Sequence, residues 1–178
     1  DSLLDRYEII PAMVERNSTA KKNNLILLDK GSNHGIERGM GVIGPNGVVG
    51  QVKFVSKNFS TAVSLLHTDV RVSSMLTRDN TIGTTQWEGG DISLAKLKYV
   101  PRHVPLAEGD TVVTSGYNSV FPKGITIGYV KNINVNINES FYDIDVELAT
   151  SFHKVSMTYI VKDRLQTEID SLITISEE

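Results

Sequence analysis

The chain has 178 residues, a formal net charge of −3 and no cysteine, which excludes a disulfide framework and thiol-rich zinc sites. Its Lys and Arg residues never cluster beyond two in a row, so it lacks the basic stripe that displaces counterions from phosphate, and nucleic acid is not an expected partner. No stretch nears the roughly 18 apolar residues of a membrane-crossing helix, and a start at Asp1 rather than Met reads as the soluble part of a longer protein.

In chain order, Leu3 and Leu4 among charged neighbours predict the end of a helix, either the last members of an upstream heptad seam or a cap on the first folded module. Residues 7–14 read as a strand interrupted by Pro11, which points to an edge or a bulge. Residues 17–24 are polar and loop-like. The apolar run 25–28 is long enough for a buried strand and too short for a helix. Seven glycines lie between Gly31 and Gly50, a density that opposes helix and predicts turns and tight strands. Strands follow at 61–66 and 70–76, then at 81–88 and 92–100 around a Gly89-Gly90 turn, although helical spacing stays open for 92–100. Residues 101–105, bounded by two prolines, predict a linker. Residues 133–137 alternate strictly as a half-wet strand does, and 141–149 and 154–161 complete the set. Asp163-Arg164-Leu165-Gln166 resembles a capping box, and Leu165, Ile169, Leu172 and Ile173 follow at helical spacing, which predicts a short terminal helix.

Two stretches repeat. From Gly39 a strand leads through Pro45-Asn46-Gly47 into a second strand carrying Gly50 and Val52. From Gly109 and Asp110 another leads through Thr114, Ser115 and Gly116 and a turn ending Pro122-Lys123-Gly124 into a strand carrying Gly128 and Val130. Val63, Leu65 and Val72 match Val146, Leu148 and Val155 at one constant offset, with length differences falling mostly in turns. The fold class read from this pattern is all-β: two packed modules of roughly 80 residues with short helical segments at the chain ends. The expected division is 1–90 for the lead-in and first module, 91–162 for the second, and 163–178 for a terminal helix or tail.

The candidate chemistry is sparse. Residues 39–44 form a literal GxGxxG, but a turn at Pro45 replaces the helix a pyrophosphate site needs, so no dinucleotide is expected. His34, His67, His103 and His153 are scattered without metal-ligand spacing, and neither metal nor cofactor is expected. His67, Asp110 and Ser115 stand in the chain order of a chymotrypsin-like double-barrel serine hydrolase, the alternative reading, but Ser115 lacks the glycine-flanked setting of such a nucleophile. Asp110 is expected to hydrogen-bond turn amides, and the cluster through Gly116 is read as structural. Among the aromatics Tyr117, Phe121 and Trp87 are the candidate partner contacts, the first two because they lie in a turn region that the core claims less strongly.

The succession Ile10-Pro-Ala-Met-Val14, Lys30-Gly31, Gly35-Ile36, Gly39-Met40, Val42-Ile43, Gly47-Val-Val-Gly-Gln-Val52, Gly109-Asp-Thr-Val-Val-Thr-Ser-Gly116 and Phe121-Pro-Lys-Gly-Ile125 with Gly128 resembles the MreC family of bacterial rod shape-determining proteins. The resemblance implies two small β-barrels packed together outside the cytoplasmic membrane. It also implies an upstream cytoplasmic tail, one transmembrane helix and a dimerising coiled coil that this fragment lacks. By the same resemblance the protein is a non-enzymatic scaffold of cell-wall elongation. Its implied partners are a class B penicillin-binding transpeptidase, that enzyme's glycosyltransferase partner, the membrane protein MreD and the actin-like MreB. The motif glycines and Pro122 map as fold determinants.

Overall fold

The computed structural model describes residues 5–178. The expected helix end at Leu3 and Leu4 lies outside the described residues. Twelve strands form two closed antiparallel barrels. Barrel one contains β1 (Tyr7–Asn17), β2 (Asn23–Leu28), β3 (Gly41–Ile43), β4 (Val48–Val55), β5 (Ser60–His67) and β12 (Met157–Asp163). Barrel two contains β6 (Val72–Leu76), β7 (Ile82–Gln86), β8 (Leu94–Lys98), β9 (Thr111–Thr114), β10 (Thr126–Val135) and β11 (Tyr142–Leu148). One helix, α1 (Gln166–Ser176), follows barrel one.

Both rings have the same order: β12-β3-β4-β5-β2-β1 in one and β6-β9-β10-β11-β8-β7 in the other. Their registers match at every junction. Ile160 faces Val42 as Leu76 faces Val112. Val42 faces Gly50, and Gly50 faces Ser64, as Val112 faces Gly128 and Gly128 faces Leu148. Ala62 faces Ile26 as Val146 faces Ala95. Leu28 faces Val14 as Leu97 faces Thr85, and Ala12 faces Thr158 as Gly83 faces Ser74. The chain is therefore two six-strand units, β1–β6 and β7–β12, whose sixth strands are exchanged. The sequence match of Leu65 with Leu148 is one residue out of step, since Ser64 takes the place of Leu148. A one-residue slip turns an inward side chain outward, and apolar residues on both parities of β5 disguise the difference.

This exchange corrects the expected division of the chain. A boundary at 90 separates β6 and β7 from the barrel they build, and an end at 162 assigns β12 to the wrong one. The supposed linker 101–105 is a strap on barrel two: Pro101 bridges Phe141, Val104 is buried, and its carbonyl accepts the Tyr142 hydroxyl at 3.1 Å. Residues 94–98, left open between helix and strand, are β8. The β1–β2 ladder begins at Val14, so Pro11 has a strand on one side alone, the edge-like setting a proline tolerates.

Inside barrel one pack Ala12, Ile26, Leu28, Val42, Ala62 and Ile160; inside barrel two, Leu76, Ala95, Leu97, Val112, Ile144 and Val146. Strand crossings are tightest at Gly50 and Gly128, where an added Cβ meets the carbonyl oxygens of Val63 and Glu147. The barrels themselves touch where Gly41 lies under the Val120 carbonyl and the Phe121 ring, and where Gly47 meets the Thr126 carbonyl. Buried Thr150 donates its hydroxyl to the Val48 carbonyl across the seam at 2.9 Å. At the outer pole of barrel one, Asp163 accepts two hydrogen bonds from Arg6, at 2.9 and 2.8 Å, and one from the Leu165 amide at 3.0 Å. Asp163 thus serves the ion pair and not the expected capping box, because α1 starts from Leu165 without a side-chain cap.

Two outcomes follow for stability. Gly50→Ala and Gly128→Ala each drive a methyl into backbone and are expected to cost roughly 2 kcal/mol or more, whereas Gly109→Ala, with positive φ but open space, costs about 1 kcal/mol; urea midpoints separate them. The Arg6 guanidinium, more than any other group, holds the Asp163 carboxyl below the usual carboxylate range. A carboxyl depressed in the folded state contributes stability that is present above its unfolded value near ~4 and lost as pH falls through the folded value. Asp163→Asn is expected to remove that part of the acid sensitivity, read as a flatter thermal-unfolding midpoint below about pH 4.

Candidate interaction surfaces

The turn between β9 and β10 is held from below. The Thr114 hydroxyl donates to the Pro122 carbonyl at 2.6 Å and accepts the Ile125 amide at 2.9 Å, while the Gly124 amide donates to the Thr114 carbonyl. Ser115 shares a 2.7 Å hydrogen bond with the Ser73 hydroxyl and accepts the Tyr117 amide. Gly116, at φ +83°, turns the chain against Lys123, where a Cβ has little room. Asp110 anchors the start of the same hairpin: Arg78 binds both its oxygens, at 2.8 and 2.6 Å, and the Ala107 amide donates to one of them. Arg78 first, then that amide, hold the Asp110 carboxyl below its ordinary range. Gly39, Gly109 and Gly124 take positive φ at strand starts and turns.

This framework decides where the candidate aromatics point. Phe121 is buried against Gly41 in the seam between the barrels, and Trp87 is buried with its indole N–H donated to the Asp91 carbonyl at 2.9 Å. Both rings are therefore held mainly by the interior, at 7% and 2% exposure, and show little surface to solvent. Tyr117 is 64% exposed and stands at the rim of a cleft between the barrels, lined also by Gln51, Leu65, Val70, Arg71 and Phe121.

A double-barrel hydrolase places its nucleophile and base in such a cleft. Here the Ser115 hydroxyl is engaged by Ser73 and the Tyr117 amide, and His67 Nδ1 accepts the Asp69 backbone amide at 3.2 Å in place of a carboxylate partner. Among the described residues no imidazole hydrogen-bonds Ser115, and no group of three or more His, Asp and Glu could hold a metal ion.

One apolar surface lies elsewhere, on the outside of barrel one. Alternate residues of β1 point inward as Ile10, Ala12 and Val14 and outward as Ile9, Pro11 and Met13, with Ile9 46% and Met13 43% exposed. Outward residues of β12 stand beside them: Tyr159 beside Pro11, and Met157 beside Met13, both half-buried. Ile43 of β3 continues the row beyond Tyr159. Rows of directly opposed side chains lie about 5 Å apart in an antiparallel sheet, so Ile9, Pro11, Met13, Met157, Tyr159 and Ile43 form one continuous apolar face. Sequence reasoning passed over these residues. The available sign was that both parities of β1 and β12 are apolar, the pattern of a strand covered on both faces.

Comparison with known proteins identifies relatives. A family model described as rod shape-determining protein MreC, barrel core, matches residues 14–162. A cell shape-determining protein MreC of Listeria monocytogenes is 32% identical over 139 residues, covering 76% of this chain and 47% of the relative. The chain thus spans about half the length of that relative. A solved MreC from the same organism matches with a TM-score of 0.81 at 26% identity, covering 88% of this chain and 76% of that one. A complex between the penicillin-binding protein PBP2 and MreC from Helicobacter pylori also matches, with a TM-score of 0.69 at 16% identity over 89% of this chain and 99% of that one.

The two turn aromatics are expected to separate cleanly. Phe121→Ala leaves a cavity in the seam and costs about 3–5 kcal/mol, while Tyr117→Ala shifts the unfolding midpoint by no more than surface changes do, about 0.5 kcal/mol. Denaturant unfolding of the two variants measures both.

Proposed function

This chain belongs to the MreC family of rod shape-determining proteins, and from that premise we propose that its two barrels are a non-catalytic docking platform for enzymes that build the lateral cell wall. The observation that carries the reading is the apolar outer face of β1, β12 and β3. A sheet face turned to solvent is ordinarily polar, and a contiguous apolar one marks an interaction site. We infer that a class B penicillin-binding transpeptidase covers it, in keeping with the PBP2 that accompanies MreC in the Helicobacter pylori complex. MreD, MreB and the transpeptidase's glycosyltransferase partner join the assembly through other parts of the longer protein. The barrels sit on the outer face of the cytoplasmic membrane, tethered by a transmembrane helix and paired through a coiled coil, both upstream of this chain. Among the described residues no helix is long and apolar enough to cross a membrane.

A platform activates an enzyme by binding one of its conformations more tightly than the other, and the bias never exceeds that difference in affinity. Tyr117 at the rim of the cleft is a second, smaller contact in this scheme. Titration with the cognate transpeptidase ectodomain tests the reading. Met13→Glu and Tyr159→Glu are each expected to weaken binding by about tenfold or more, equivalent to about 1.4 kcal/mol, with the unfolding midpoint little changed. An absence of binding by the parent chain at micromolar concentration overturns the transpeptidase assignment. Full binding by both variants moves the site off this face.

A further inference from the structure

The chain carries a net charge of −3, yet the fold gathers cations from distant parts of the sequence at one spot. Arg38 from the loop before β3, Lys53 from β4, His67 at the end of β5 and Arg71 from the step into β6 line an open groove of about 490 Å³. The one carboxylate on that lining is Asp69. Arg38, Lys53 and Arg71 are exposed, and among the described residues they form neither an ion pair nor a side-chain hydrogen bond. That sets them apart from Arg6, Arg78, Arg102 and Arg164, whose guanidinium groups all donate hydrogen bonds within the chain.

The backbone beneath these side chains is fixed. The Gly39 amide donates to the Val52 carbonyl at 2.8 Å and Gln51 Nε2 to the Gly39 carbonyl at 3.1 Å, which ties the Arg38 loop to β4. The register shift between Val52 and Phe54 places Lys53 in a bulge, with its Nζ 5.3 Å from the centroid of the Phe54 ring. The Val70 amide donates to the His67 carbonyl at 3.0 Å, and His67 Nδ1 accepts the Asp69 amide, closing the turn that leads to Arg71. Like charges held together on such a frame raise the local potential, and an anionic ligand relieves their repulsion.

The groove shares Gln51, Val70 and Arg71 with the cleft between the barrels, where Leu65, Val72 and Phe121 supply an apolar lining. Cationic and apolar surfaces therefore meet along one path. A phosphate group satisfies the first and leaves the second unfilled, whereas a peptide brings carboxylates for the guanidinium forks and an apolar side chain for the cleft. We propose that this groove binds an acidic peptide segment of a partner protein, laid across Arg38, Lys53 and Arg71 with one apolar residue in the cleft beside Val70. The site is distinct from the docking face on β1, β12 and β3, and its occupation does not require that face to be covered.

Selection of a random phage-displayed peptide library on the whole chain supplies the probe. Selected peptides are expected to be enriched in Asp and Glu together with a Leu, Ile or Phe, and the strongest of them is synthesised with a fluorophore and followed by anisotropy. Arg38→Glu and Arg71→Glu are each expected to weaken its binding at least about tenfold, because each reversal puts repulsion where attraction was. Arg16→Glu, which reverses an arginine outside the groove, and Met13→Glu, on the outer face of β1, leave binding within about twofold. Unfolding midpoints stay unchanged in the three arginine variants. Binding is also expected to weaken severalfold between about 0.1 and 1 M salt, as the screening length falls from about 10 to about 3 Å. Selection without acidic enrichment, undiminished binding by Arg38→Glu and Arg71→Glu, loss with Met13→Glu instead, or insensitivity to salt overturns the proposal. Displacement of the probe by inorganic pyrophosphate as readily as by unlabelled peptide also overturns it, in favour of a general phosphate site.

Discussion

Neither barrel closes with strands from its own half of the chain. β6 leaves the first unit to sit between β7 and β9, and β12 leaves the second to sit between β1 and β3. A closed barrel lacking one strand exposes two unpaired edges, so each half depends on the other for its hydrogen bonds as well as for its apolar seam. The four-residue step from β5 to β6 keeps the barrels adjacent. Gly41 and Gly47 then let backbone from barrel two approach closely enough for Phe121 and Thr126 to fill the seam. The result is a two-lobed body in which contacts across the seam make the relative placement of the lobes part of the fold.

Much of this was legible because strand patterns are local. Alternation, turn glycines and the paired hairpins around Gly50 and Gly128 identify nearly every strand and the internal repeat. The exchange was not legible, because β12 closes barrel one against residues as distant in sequence as Met13 is from Met157 and Ile43 from Tyr159, and no local pattern encodes that choice. The sequence match around Leu65 and Leu148 illustrates the limit: it finds the corresponding strands yet sets them one residue out of step. The linker reading of 101–105 failed for a related reason. Two prolines mark irregular backbone, but irregular backbone also straps a barrel when a buried Val104 and a tyrosine hydroxyl hold it.

The proposed interaction surface was harder still. Aromatic residues in a turn are reasonable candidates for contact, yet the hydrogen bonds of Thr114 and Ser115 bend this turn so that Tyr117 faces water and Phe121 faces the seam. The apolar face on β1, β12 and β3 comes from residues far apart in sequence, and it becomes a surface only when the exchanged strand brings Tyr159 between Pro11 and Ile43. The same act that completes the fold therefore assembles the face.

The long first strand carries a mechanical consequence. A pull applied at the start of β1 would run along that strand, which is laddered to β12 over residues 7–13 and to β2 from Val14 onward. Antiparallel hydrogen bonds lie across that direction of pull and share the load, whereas strands drawn apart from one end break their bonds one after another. A pull on the start of β1 would in this respect load barrel one in shear. Its endurance under such a pull is set by how slowly β1 is drawn out, a rate, and not by how stable the barrel is at rest.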